Sequence, residues 1–360
     1  MEGFQKWVED RAQVERLSAR TVAPPDHFGG HPLFARLSAA ALAFGVIGLA
    51  GGPVGASASS SRTDLKNFQH VFVITMENTG YSHLIGNPSA PWINLAAKTH
   101  GLATNYSGVS HPSQPNYIAA TSGSTNGVTG DADVTIDVPN IVDQVEGSGR
   151  TWKGYMQSYF AGGNTNKLAH SAGNQLYERK HNPFVSYLDV QSNPARMANL
   201  VDLAQLTTDL SSGQVPDYSW ISPDQCNDMH GRGGTGASDP CNFANEDLLI
   251  RAGDAFLSST VGMITTSSAW TGNSVIFVTW DESDYPFGDT SGCCDAVPGG
   301  GHVVTLVISH SDQSARTSAV PYNHFSLLAT IEQGWQIGCL AFTCDAANVI
   351  PMSDLVGPRG

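Results

Sequence analysis

The stretch "HVFVITMEN" (residues 70–78) passes from an unbroken, β-branched apolar run directly into an acid and an amide. A continuous rather than alternating apolar run reads as a strand buried on both faces. "SVIFVTWDES" (274–283) repeats the pattern and ends on Asp281–Glu282, and "HVVTLVIS" (302–309) is a third run of this type. "TWKGYM" (151–156) and "DYSWIS" (217–222) are further strand candidates. Between them lie helical patterns. "PWINLAAKTHG" (91–101) and "QPNYIAATSG" (114–123) carry Pro near the start and Gly at the end, as helices do. "IVDQVEGSG" reads as a short helix, and helical spacing covers 195–210 and 244–266. "NHFSLLATIEQGWQ" (323–336) closes the series, with Asn323 as its N-cap. This alternation predicts an α/β fold, doubly wound, with a mostly parallel central sheet and helices on both faces. Segments 157–194 and 223–243, irregular and Gly-rich, are expected to be insertions over one edge.

The 360 residues are 41% hydrophobic, enough for one large core or two modest ones. The net charge is −14; residues 1–36 balance five basic against five acidic groups, and the remainder has 13 against 27. No basic run offers a footprint for phosphate backbones, which excludes a nucleic-acid binder. "RLSAAALAFGVIGLAGGPVGASA" (36–58) joins a basic residue, an apolar run and a small-residue ending, the pattern of a secretory signal cleaved after Ala58. The expected organisation is therefore an extension and signal over 1–58 and a single domain over 59–360, secreted or otherwise extracytoplasmic. Six cysteines follow the signal, an even count that suits disulfides in an exported chain. Spacing favours Cys226–Cys241 and Cys339–Cys344, and leaves the partners of Cys293 and Cys294 open.

In parallel sheets, ligands bind beyond the carboxyl ends of the strands. Two strands here end on acids, at Glu77–Asn78 and at Asp281–Glu282. Unpaired carboxylates at such a boundary are costly, and a divalent cation would satisfy several at once; the competing reading is a helix cap or an Arg partner. Ser113, two residues before Pro115, falls at the start of a helix. There, free N–H groups favour an anion, and a neighbouring metal would make the hydroxyl a nucleophile. An ordinary N-cap serine is the alternative. Among the twelve histidines, His302 follows three glycines, His230 and His181 lie in "PDQCNDMHG" and "KHNPF", and His111 is two residues from Ser113.

The segments "HVFVITMENTGYSHLIG", "SHPSQPNYIAATSG", "KHNPF", "SPDQCNDMHG", "VIFVTWDES" and "GGGHV" occur in that order between residue 70 and about residue 305. Together they resemble the bacterial and fungal phosphoesterase family of secreted acid phosphatases and phosphatidylcholine-type phospholipases C, within the alkaline phosphatase superfamily. The resemblance implies an alkaline-phosphatase-like fold with the Gly-rich insertions over the active-site edge. It implies that Glu77, Asn78, Ser113, Asp281 and Glu282 hold metal, that Ser113 is the nucleophile, and that His181, His230 and His302 contact the phosphoryl group or complete the metal site. Asn116 and His111, flanking Ser113, are expected to touch substrate. Oxygen-rich pairs in place of several Asp and His ligands favour one divalent ion over two zincs, with zinc, calcium, magnesium and manganese all open.

The expected reaction is phosphate-ester hydrolysis through a phosphoseryl intermediate, of acid phosphatase type. Phospholipase C or another phosphodiesterase is the alternative. A small phosphate ester is the expected partner, without nucleic acid and without stable membrane insertion after signal cleavage; the oligomeric state is not encoded legibly. Two more distant readings compete. A metal-free serine esterase would want a G-x-S-x-G elbow, which "GVSHPSQP" lacks. A non-catalytic surface-binding protein would want its seven Trp and ten Tyr clustered, and they are scattered.

Overall fold

In the computed structural model, which describes residues 67–356 except 164, 170–174, 237 and 285–287, the first apolar run is strand β1 (Val71–Met76), buried at every residue. The signal and extension over 1–58 lie outside the described residues. The other strands are β2 (Gly101–Ser107), β3 (Trp152–Met156), β4 (Leu200–Asp202), β5 (Tyr218–Ser222), β6 (Val275–Trp280), β7 (His302–Ser309), β8 (Arg316–Ser318) and β9 (Tyr322–Asn323). They form one sheet in the order β4-β3-β5-β1-β6-β7-β2-β8, with β9 also paired to β2. β1 is parallel to β5 and β6, and β3 to β4 and β5. β7 alone runs against its two neighbours, β6 and β2.

Helices cover the sheet as expected for the doubly wound α/β class. The main ones are α1 (Pro91–Thr99), α2 (Ser113–Ser122), α3 (Ile141–Gly147), α4 (Ala204–Ser212), α5 (Glu246–Thr265) and α6 (His324–Trp335). α2 packs on α6, while α1 and α4 pack on α5. The central strands are apolar on both sides because both faces are covered; Trp152, Trp220, Trp280 and Phe277 are fully buried among them. Asn323 caps α6 as expected, its side chain accepting from Phe325 N and Ser326 N.

Two sequence expectations need correction. The helical spacing of 195–210 is not one helix: a turn at Pro194–Ala198 gives way to β4 and then α4. Pairing of Leu200–Asp202 with β3 overrides the local helical period. β2 carries no continuous apolar run and starts at Gly101, the residue that otherwise reads as a helix end. Its burial pattern is interrupted, which is why its alternation is weak.

α6 also carries a misplaced charge. Glu332 is 2% exposed near the helix C-terminus, where a negative charge is disfavoured, and accepts from Gln144 Nε2 at 3.0 Å. Burial pushes its carboxyl up to about 7. The raised value means the folded chain keeps a proton that the unfolded chain releases above about 4.5, so stability falls as pH rises from there to 7. Glu332→Gln is expected to be near neutral at pH 4 and to stabilise by about 1–3 kcal/mol at pH 8 in urea melts. An equal effect at both pH values would rule out this origin.

Candidate active site

Because β1, β3, β5 and β6 are parallel, their carboxyl ends share one edge, and the reversed β7 brings its amino end to the same place. Glu77 and Asn78 leave β1 there, and Asp281 and Glu282 leave β6. Residues 108–112 then carry the chain from β2 into α2, whose first helical residue is Ser113.

That loop is held by backbone-scale contacts. Asn116 Oδ1 accepts from Val109 N (2.8 Å) and Ser110 N (3.0 Å), and its Nδ2 donates to Ser110 O (2.8 Å) and Pro112 O (3.3 Å). The triple glycine lies against it: Gly300 N donates to Gly108 O and Gly108 N to Gly301 O, each at 2.9 Å. A Cβ on Gly300 would stand 2.5 Å from Ser110 O. These glycines let two chain segments approach each other.

Ser113 is 1% exposed and caps nothing. Its Oγ lies 3.0 Å from Glu282 Oε1, 3.2 Å from Glu77 Oε2 and 3.4 Å from Asn78 Oδ1, with Lys180 Nζ at 3.3 Å. A serine hydroxyl has one proton to donate, so it cannot satisfy three acceptors. Asn78 reaches this position with φ 38°, a left-handed conformation that Asn tolerates, and its N–H donates to Asp281 Oδ1 at 3.1 Å.

A second layer restrains the acids. Tyr117 OH donates to Glu77 Oε1 at 2.7 Å, and His181 stands with Nε2 3.1 Å from the same oxygen and Nδ1 3.3 Å from Asp228 Oδ2. Tyr117 and His181 stack, and His230 meets the His181 ring edge-on at 6.2 Å. His111 Nδ1 contacts Glu282 Oε2, and His324 Nε2 lies 2.6 Å from the Asp281 carbonyl. Lys180 is paired with Asp131 Oδ2 at 2.9 Å, and Asp131 Oδ1 accepts from Gln114 N.

Burial, then the Asp281 charge, pushes the Glu77 carboxyl well above the usual range; burial and Glu282 do the same to Asp281, and burial and Glu77 to Asp228. Burial raises Glu282 too, against the pull of His111. Burial opposes the charge on Lys180, but Asp131 and Glu77 hold its ammonium above its ordinary value. Burial, with Lys180 and His230 nearby, keeps His181 neutral. The acids thus crowd a dry site with one lysine as their close cation.

Among the described residues, no three His, Cys, Asp or Glu side chains form a cation cage by themselves. The residues do fit a cation. Asp281 Oδ2, Asp228 Oδ2 and both His181 nitrogens are buried without a hydrogen-bond partner among the described residues. The carboxylate, amide and hydroxyl oxygens around Ser113 suit a hard divalent ion.

The structure therefore brings Glu77, Asn78, Ser113, Glu282, His111 and His181 together, with Asp281 and His230 adjoining. It does not bring in His302, whose ring stacks on Tyr81 and whose Nε2 lies 3.0 Å from Thr104 O. Asn116 is engaged with its own loop. Lys180, Tyr117, Asp131 and Asp228 escape the sequence reading. Lys180 and Asp228 sit inside "KHNPF" and "PDQCNDMHG", where histidines draw the eye, and Asp131 has no local signal. Cys226–Cys241 forms as expected and brackets the segment bearing Asp228 and His230; Cys339–Cys344 also forms, and Cys293 pairs with Cys294.

The phosphoesterase family model matches residues 87–338. A phosphatidylinositol-3-phosphatase of Mycobacterium tuberculosis is 30% identical over 84% of this chain and 87% of its own. A probable acid phosphatase of Kluyveromyces lactis is 26% identical, and an acid phosphatase of Aspergillus fumigatus 25%, each over 79% of this chain. This chain spans 62% and 58% of those two proteins. The fold is shared with a solved alkaline phosphatase superfamily protein of Vibrio parahaemolyticus, at a TM-score of 0.50 and 14% identity, covering 82% of this chain and 71% of that one.

Asn116→Ala removes four hydrogen bonds from the loop that presents Ser113, and is expected to cost about 2–4 kcal/mol of stability. Turnover of p-nitrophenyl phosphate should fall through kcat. A rise in KM with kcat and stability intact would instead make Asn116 a substrate contact.

Proposed function

The chain belongs to the phosphoesterase family, and from that premise we propose that it is a metal-dependent phosphoric ester hydrolase of acid phosphatase type, with Ser113 as nucleophile. The observation that carries this reading is the Ser113 hydroxyl lying within 3.4 Å of three acceptor oxygens. That arrangement wants a cation, and a cation beside a serine at a helix start is equipment for attack on a phosphoryl group.

Glu77, Asn78, Ser113, Asp281 and Glu282 would hold the ion. When bound, it lowers the pKa of the hydroxyl and draws charge from the phosphoryl oxygens. Ser113 Oγ forms a bond to phosphorus as the ester oxygen leaves on the opposite side, giving a phosphoseryl enzyme and an alcohol. Water then attacks phosphorus, the P–Oγ bond breaks, and phosphate departs. The N-terminal end of α2 lends its helix dipole to the phosphate charge, although the Gln114 N–H is already taken by Asp131 and Pro115 has none. Tyr117 and His181 orient Glu77, and His111 orients Glu282. His230, less buried than His181, is assigned to deliver the proton to the leaving alkoxide.

The relatives' names, acid phosphatase and phosphatidylinositol-3-phosphatase, support a terminal phosphate as substrate over a diester. Export rests on the signal pattern at 36–58; among the described residues no helix is long and apolar enough to cross a membrane.

Dialysis against EDTA should abolish hydrolysis of p-nitrophenyl phosphate, and a divalent ion should restore it. Ser113→Ala should lower kcat by at least about 1,000-fold with the protein still folded. Full activity in EDTA would point to a metal-free esterase, and full activity in Ser113→Ala would remove the nucleophile assignment.

A further inference from the structure

We propose that Lys180 is the cation that takes a terminal oxygen of the phosphoryl group while Ser113 attacks, and that this contact sets a preference for phosphate monoesters over diesters. The inference rests on the phosphoesterase reading above. Its basis is the placement of one partly buried side chain. Lys180 Nζ is 3.3 Å from Ser113 Oγ and 2.9 Å from Asp131 Oδ2, on a side chain 17% exposed. Asp131 also accepts the Gln114 N–H at 2.9 Å, so a single carboxylate ties the ammonium to the turn of α2 that carries the nucleophile. Cation and nucleophile thus hold a fixed separation before substrate arrives.

Two other roles fit less well. A lysine beside a serine can serve as a base only if it gives up its proton, and the Asp131 ion pair keeps this one charged. Simple neutralisation of the metal-site acids would place Nζ against them. Glu77 and Glu282 do lie within its field, but among the described residues Asp131 is the carboxylate within ion-pair distance of Nζ, and Ser113 Oγ is its other close contact. An ammonium has three donors; Asp131 takes one and the Ser113 oxygen faces another.

Attack requires phosphorus about 3–3.5 Å from Oγ, which brings its terminal oxygens within reach of a donor fixed beside the same Oγ. A monoester presents three terminal oxygens and up to two negative charges; a diester presents two oxygens and one charge. In a site already crowded with carboxylates, the more highly charged ester depends more on a fixed cation.

The test uses Lys180→Met and the double variant Lys180→Gln/Asp131→Asn. In the latter, an amide at 131 can still accept the Gln114 N–H, and no carboxylate at 131 is left without its ion-pair partner. Both are assayed as metal-loaded full-length enzyme on p-nitrophenyl phosphate and bis-p-nitrophenyl phosphate, with inorganic phosphate binding by calorimetry and Tm as a folding check. The expected result is a monoester kcat/KM about 100- to 1,000-fold lower, a diester value within about 10-fold of wild type, and phosphate binding weakened by at least about 10-fold. Equal losses on both esters that track a fall in Tm would mean a structural lysine and overturn the inference. So would an unchanged monoester-to-diester ratio with phosphate binding intact. A wild-type enzyme that hydrolyses neither ester would instead sink the phosphoesterase reading itself.

Discussion

A hydroxyl with one proton and three acceptor oxygens around it is the constraint from which the rest of this edge follows. Ser113 Oγ, Glu77, Asn78 and Glu282 cannot satisfy one another. Each buried carboxylate costs several kcal/mol unless paired, and Glu77, Asp228, Asp281 and Glu282 are all at most 1% exposed. The protein keeps them by surrounding them with donors that have little other work. Tyr117, the Asn78 N–H and His111 each give the acids a partner, His181 stands close to Glu77 without a hydrogen bond to it, and Lys180 adds a charge within their field. In the function proposed above, a cation and a phosphate anion together would relieve what these partners leave unmet.

The position of the pocket is a consequence of strand direction. Parallel β1 and β6 deliver their terminal acids side by side, with Met76 opposite Trp280 in register. The reversal of β7 then obliges the chain between β6 and β7 to leave the sheet edge and return to it. On its way back it lays Gly299–Gly301 against the loop before Ser113. Ser113 is therefore braced by backbone from a segment nearly 190 residues away, and by the Asn116 amide from its own helix. Few long side chains could hold a loop that closely, which is why glycine and asparagine occupy these places.

This division explains what the sequence made legible. β1, β6 and β7 could be read because burial on both faces leaves an unbroken apolar run, and the acids at the ends of β1 and β6 could be read because they interrupt it. Strand direction leaves no mark in composition, so the antiparallel β7 was hidden. β2 was hidden as well, since its interrupted burial looks like loop, and β4 since its three residues continue a helical period. In the site, residue types with strong chemical associations stood out, whereas partners defined only by spatial convergence did not. Lys180 reaches Ser113 across 67 positions and Asp131 reaches Lys180 across 49, distances over which no local pattern can speak. For His302 the local signal has another source: the three glycines before it lie against the loop ahead of Ser113, while its ring stacks on Tyr81.

The histidines separate by burial in a way that bears on chemistry. His324 is held neutral, its value lowered to about 4 chiefly by burial; Nε2 lies beside the Asp281 carbonyl, and Nδ1 faces Tyr106 OH. His181 is likewise enclosed, 2% exposed, with a carboxylate facing each nitrogen. Imidazoles so placed fix the positions of acids and have no route to exchange protons with a departing group. In the in-line displacement proposed above, a leaving alkoxide would depart on the side of phosphorus opposite Ser113. The proton it would need is assigned to a group nearer solvent: His111 and His230 are both partly exposed, and His111 is taken by Glu282, which leaves that role to His230, edge-on to His181 inside the loop closed by Cys226–Cys241. In this reading the buried imidazoles build the nucleophile's surroundings, and proton delivery falls to the open side of the site.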